Sequence, residues 1–460
     1  MRLRARWVAG IGAVAALGVA ALAAAAARSP VPLRAWVAHP AVSLALAHGD
    51  NPYPVHLVRP PAAPLSAMAQ LGKRIFFDPS LSSSGRLACA SCHSPAHAYG
   101  PPGDAPAMFG GPTLTHQGVR AVPSLMYLER QPNFSIGPDN EENENVSLAR
   151  LAAVGRGAPR APKTASNAAA AANIVPQGGL FWDGRADTLQ QQALTPLLNP
   201  LEMDGGSVSA IVATLRHARY ADRFTQLFGD AVFATPRLAV AEALFAVGRF
   251  QIEDPSFHSY TSKFDYWLEG RTRLTPAELR GYLAFNDPAR ANCAGCHLDQ
   301  PTQDDRPPLF TDHQFEALGV PRNPALAANR DPDYHDLGLC GPYRTDLARE
   351  AQYCGMFLTP TLRNVATRKV FFHNGVYRSL ALVLDFYDFR DTEPQKIYPR
   401  AADGTVAKYD DIPPQYRANV DTADPPFDRK PGGSPAMTPQ DERDIIAFLG
   451  TLTDGYRPGR

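Results

Sequence analysis

The sequence predicts a mainly α-helical protein made of two consecutive helical parts with long irregular loops. Three observations predict it. Apolar residues recur at three- and four-residue spacing, alternating strand patterns are scarce, and one short cysteine motif occurs twice, about two hundred residues apart. A chain of 460 residues is long enough for separate cores.

The elements follow in chain order. The opening "MRLRARWVAGIGAVAALGVAALAAAAARSP" carries three arginines, a long Ala/Val/Leu run and small residues near Ala25 to Ala27. Over residues 1–28 it reads as an export signal, either cleaved or kept as a membrane anchor, which puts the folded part in the periplasm. Proline-rich "ARSPVPLRAWVAHP" marks a linker, taken as 29–63. A first domain is expected over 64–255 and a second over 256–460. Helical periodicity is clear in "AVAEALFAVGRFQI" and "SLALVLDFYDF", and Thr275, Pro276 and Glu278 open "TPAELRGYLAFN" as a capping box. "TPQDERDIIAFLGTLTD" repeats the Thr-Pro start near the end. "GRGAPRAPKTAS" and "DDIPPQYRANVDTADPPFDRKPGGSPAM" are loops. Lys plus Arg equals Asp plus Glu at 45 each, so no net field draws the chain to nucleic acid, and no nucleic-acid motif is present.

"RLACASCHSPAHAYG" places Cys89, Cys92 and His93 in C-x-x-C-H spacing, and "NCAGCHL" repeats it with Cys293, Cys296 and His297. Two thiols at this spacing add across the two vinyl groups of a haem, and the following histidine becomes the iron's proximal ligand. The motif therefore predicts two covalently attached c-type haems, with His93 and His297 on the irons. Zinc held by four thiolates, or a disulfide within each pair, are the rival readings. A small helical domain can fold round the apolar faces of a haem, so the fold expected is two cytochrome-c-like helical haem domains. The remaining cysteines, Cys340 and Cys354, are candidates for a disulfide in an oxidising compartment.

Over most of residues 64–454 the sequence resembles the bacterial di-haem cytochrome c peroxidase and MauG superfamily. The resemblance is carried, in order, by "LGKRIFFDPSLSSSGRLACASCH", the "FWDGRA" block running on to Glu202 and Met203, "PLFTDHQFEALGVPRN", "TPTLRNVATRKVFFHNG" and "IIAFLGTL". It implies a di-haem peroxidase that reduces hydrogen peroxide at the N-terminal haem and relays electrons through the C-terminal one. The electron source would be a small periplasmic cytochrome or copper protein, or a protein substrate oxidised in the MauG manner. A non-enzymatic di-haem electron carrier is the alternative.

Cleavage of peroxide at an iron needs an open axial position and a group that moves a proton between the two oxygens. Glu202, in an apolar turn that would raise its pKa, is the acid-base candidate. By resemblance Gln192 hydrogen-bonds the site, Pro196 and Met203 shape it, and Trp182 stands between the haems as a hopping station. Resemblance also implies a calcium ion held by the Asn167 side chain and by backbone carbonyls near Arg368 and Val370. Where cytochrome c peroxidases carry a methionine ligand to the second haem, fourteen residues after the His373 position, this chain has Tyr387, as the MauG branch does. A phenolate there would lower the haem's potential. His97 and His116 could reach the first iron, although their spacing matches neither pattern, so an open or water-bound resting iron is expected. His258, His313 and His335 read as structural or exposed.

Overall fold

The computed structural model describes residues 40–138 and 174–459. The protein is helix-rich with little sheet. Its helices are α1 (Pro40–Ala47), α2 (Ala67–Phe76), the single turn α3 (Cys89–Cys92), α4 (Leu189–Leu198), α5 (Val208–His217), α6 (Ala221–Phe228), α7 (Pro236–Glu253), α8 (Lys263–Leu268), α9 (Pro276–Phe285), α10 (Leu380–Phe389) and α11 (Pro439–Gly450). Among the described residues the only ladders are three short antiparallel pairs. They are β1 (Phe109–Gly110) with β2 (His116–Gln117), β3 (Ser135–Pro138) with β4 (Ile174–Gln177), and β5 (Phe315–Glu316) with β6 (Phe357–Leu358). Capping side chains start most of the longer helices. Ser66, Thr188, Ser207, Thr275, Ser379 and Thr438 each accept from an amide in the first turn of the helix they precede.

Two apolar cores sit side by side. In the first, α2 crosses α7 and Phe76 meets Phe250, Phe257 and Tyr99 edge-on. In the second, α9 crosses α11 and Phe264, Tyr282, Phe285, Phe310 and Phe448 interlock. Each crossing is closed by a glycine. A Cβ on Gly72 would lie 1.8 Å from the Ala246 carbonyl oxygen, and one on Gly281 would lie 1.9 Å from that of Asp444. No side chain fits at either point, so the backbones touch and both halves share one construction.

Residues 40–57 differ from the expected linker. The Trp267 indole donates to Gly49 O at 2.9 Å, Leu274 N donates to the same oxygen, and Val55 N donates to Leu268 O. Leu57 is buried in the second core with Leu46 and Val55 against it. The proline-rich composition signals a break in helix, but the apolar residues between the prolines are free to be buried, and here they are. Residues 1–28, the proposed signal or anchor, lie outside the described residues, as does "GRGAPRAPKTAS". Among the described residues no helix is long and apolar enough to cross a membrane.

Candidate haem and peroxide site

The cysteine motifs lie on one helical turn at Cys89–Cys92 and on a 3-10 turn at Cys293–Gly295. His93 Nδ1 donates to Tyr99 O at 3.1 Å, and His297 Nδ1 donates to Phe310 O at 2.9 Å. A carbonyl can only accept, so in each ring the proton is on Nδ1 and Nε2 keeps its lone pair, as a metal ligand requires. Burial lowers both pKa values to about 4, which keeps the imidazoles neutral. The four motif cysteines are unpaired thiols. Burial pushes Cys89 up to about 11 and Cys92 and Cys293 to about 12. Unpaired thiols beside an oriented imidazole, each pair opening onto its own cavity, fit a c-type haem at each motif. The two pairs line different cavities, so they do not make one four-thiolate zinc site, and among the described residues no group of three or more His, Cys, Asp or Glu could hold a metal ion. Cys340 and Cys354 form a disulfide, with Cα atoms 4.9 Å apart.

The cavity at the first motif measures about 130 Å³. Gln192 and Pro196, four residues apart on α4, both line it, as residues one turn apart on a helix share a face. The chain leaves α4 at Asn199. That side chain accepts from Leu201 N at 3.0 Å and donates to Glu202 Oε1 at 3.0 Å, so one residue fixes both the turn and the carboxylate. Glu202 and Met203 complete this wall. Strand β1 runs so close behind it that a Cβ on Gly110 would come within 2.3 Å of Glu202 O. Burial raises the Glu202 pKa, opposed by the Arg185 guanidinium and the Asn199 hydrogen bond. Arg185 is in turn held by Asp183 at 2.8 Å, and Asp183 is shared with Arg120, which also binds Asp336 at 2.6 Å. Tyr343, on the loop closed by the disulfide, faces the same cavity and packs against the Arg120 and Arg185 guanidiniums.

The cavity at the second motif is larger, about 430 Å³. Tyr387 on α10 lines it with Cys293, Cys296 and His297, and its ring stacks on Phe427 at 5.3 Å. Burial pushes the phenol's pKa up, so the free side chain is neutral and a bound metal would have to displace its proton. His373 stacks on Phe357 at 3.6 Å, lines the same cavity, and leaves its buried Nε2 without a hydrogen-bond partner in the protein. An orphaned ring nitrogen beside a cavity is what a group bound there would satisfy.

Trp182 lines both cavities. Its indole donates to Ala121 O at 2.8 Å, and Ala121 N donates to His373 O at 2.7 Å, which ties the ring to both halves. His97 lines the larger cavity and pairs with Ser94 Oγ, whereas His116 sits exposed on β2 beside Pro200 O. Neither lines the smaller cavity. His258 and His313 are held by Ile252 O and Gln131 Oε1, and His335 by Asp411 O. Asn167 lies outside the described residues. Sequence reading missed Asn199, Arg185, Asp183, Arg120 and Tyr343. The first three stand within the "FWDGRA" to "NPLEM" block, but which of those polar residues pair is decided by tertiary approach.

The family model described as di-haem cytochrome c peroxidase matches residues 66–273. The chain is 31% identical to the methylamine utilization protein MauG of Paracoccus denitrificans, over 85% of this chain and 90% of that one. It is 27% identical to the cytochrome c551 peroxidase of Nitrosomonas europaea, over 67% and 69%. Among solved structures, the diheme peroxidase BthA from Burkholderia thailandensis superposes with a TM-score of 0.71 at 35% identity, covering 87% of this chain and 89% of that one.

Proposed function

The chain belongs to the di-haem cytochrome c peroxidase and MauG family, and from that premise we propose that peroxide is cleaved in the cavity walled by His93 and Glu202. The protein is an oxidoreductase with two c-type haems, and its substrates are hydrogen peroxide and a redox protein or protein substrate. The observation that carries the placement is the Glu202 carboxylate, which lines the smaller cavity, is held by the Asn199 amide and is influenced by the Arg185 guanidinium lining the same cavity. Haem iron supplies the redox centre when bound at each histidine.

The side chains supply the rest. Glu202 takes the proton from one peroxide oxygen and returns it to the other, which leaves as water as the O–O bond breaks; two electrons from the redox protein or protein substrate and two further protons convert the remaining oxygen into a second water. Arg185 favours the negative charge that builds up during this transfer. Gln192 orients the peroxide by hydrogen bonding, and Pro196 and Met203 limit the space to a molecule of that size. Electrons enter through the second half and cross at Trp182. A low-potential second site ligated by Tyr387 favours oxidation of a protein substrate in the MauG manner over reduction by a high-potential donor. Export to the periplasm, with residues 1–28 as signal or anchor, is part of the same reading.

The test is to add one equivalent of hydrogen peroxide to the fully oxidised protein and to record visible and near-infrared spectra. Rapid change at both haems, with a near-infrared band from shared charge, is the expected outcome. No reaction until one haem has been reduced would instead assign a cytochrome c peroxidase with a blocked first iron.

A further inference from the structure

The resemblance leads to a calcium ion at the carbonyls of Arg368 and Val370, but the local structure disagrees. Arg368 turns its side chain back over this strip. Nε faces the Val370 carbonyl oxygen at 3.4 Å, so one of the two expected calcium donors already has a cationic neighbour. Nη2 donates to Val122 O at 2.9 Å, and a methyl group built on Gly100 would lie 3.3 Å from Nη1. The guanidinium thus bridges two backbone strips, one just after Trp182's anchor at Ala121 and one before His373, and it lies beside a third at Gly100.

Arginines held deeper in the fold have carboxylate partners. Arg120 pairs with Asp183 and Asp336, Arg363 with Asp265 and Arg390 with Asp391. Arg368 has no such partner among the described residues, and it lines the larger cavity. Removal from water without a counter-charge lowers its pKa to about 10, which leaves it fully charged at neutral pH. A partly buried cation of this kind, without a counter-charge, is stabilised when an anion completes it. Haem brings carboxylates, and a guanidinium is the side chain best shaped to take them. A divalent ion beside it would be repelled, and a hard cation of that type needs six or more oxygen ligands.

We propose that Arg368 is the resident cation between the two haem cavities, that it binds haem carboxylate, and that this chain holds no calcium there. The inference rests on the two haems and not on the peroxidase chemistry. The experiment uses the holoprotein with both haems attached. Calcium is measured by atomic emission after exchange into chelator-treated buffer, and the midpoint potentials of both haems are titrated for the native chain, Arg368→Lys and Arg368→Gln.

The expected result is far less than one calcium per chain and potentials insensitive to chelator. Arg368→Gln should lower at least one midpoint potential, because loss of a nearby positive charge favours the oxidised iron, and Arg368→Lys should restore most of the shift. One calcium per chain whose removal changes the spectra, or potentials unmoved by Arg368→Gln, would overturn the proposal. Calcium content of the native chain decides the calcium part of the proposal even if neither variant folds, and one calcium per chain would overturn it. A haem-loaded protein that ignores peroxide would defeat the peroxidase reading and leave this one standing.

Discussion

The two cysteine–histidine sites start alike and end differently. Both present unpaired thiols and a neutral imidazole held through Nδ1 by a downstream carbonyl, and both sit beside a helix crossing closed by a glycine. The walls opposite the histidines then diverge. At the first motif the cavity is small and sets Glu202, Gln192 and Arg185 into a mainly apolar lining; at the second it is larger, and Tyr387 stacks on Phe427 in it. The attachment chemistry therefore says that a haem is held, and only the facing wall says what each haem is for.

The contrast can be broken most sharply at Glu202. Glu202→Gln should slow the reaction with peroxide by on the order of a hundredfold or more, with both haems retained and the second site's spectrum unchanged. Full activity in this variant would remove the proton role. In the native chain the rate should fall as pH drops through the Glu202 pKa, since the carboxylate must be ionised to accept the peroxide proton. Burial raises that pKa, so the fall should begin at a pH above the range of an ordinary carboxylate. An inflection at the ordinary value would mean a solvent-exposed carboxylate.

The shared construction can be tested next. Gly72→Ala and Gly281→Ala should each destabilise by about 1–3 kcal/mol or more through overpacking, seen as a lower melting temperature. A neutral result in one half only would show that the crossings are not equivalent. Tyr387→Phe should leave peroxide binding in place but change the low-spin spectrum of the second haem and raise its potential by part of the roughly 0.8 V that axial ligands span. An unaltered spectrum would point to a different ligand. The smallest effect is expected at Trp182. Trp182→Phe should slow the spectral change at the second haem relative to the first, measured by stopped flow, and equal rates in both would argue for another route.

Much of this was legible in the sequence because the chemistry is local. C-x-x-C-H needs its five residues side by side, and the capping boxes at Thr275 and Thr438 are four-residue signals that the helices reproduce. That Glu202 and Gln192 line one cavity was reachable because a compact block carries them. What stayed hidden depends on long-range approach. Arg120 meets Asp336 across 216 residues, and Arg363 meets Asp265 across 98. Tyr343 reaches the first cavity from the other half, on a loop whose sequence carries no strong pattern. The 29–63 stretch misled for the opposite reason: its scattered prolines read as a linker, while apolar side chains between them, such as Leu46, Val55 and Leu57, decide where residues 40–57 go.

That stretch makes the second half discontinuous in sequence. Gly49 and Val55 are synthesised long before Leu268, Leu274 and the last helix of the core they join, and 218 residues separate Gly49 from the indole that binds it. The first core, built from residues between them, has to close as an insertion while that leading segment waits undocked. Closing so long a loop is entropically slow, so docking of residues 40–57 is set to be a late folding event that seals the molecule only once both cores exist. A fragment meant to fold as the second half alone would need those residues supplied from the other end of the chain.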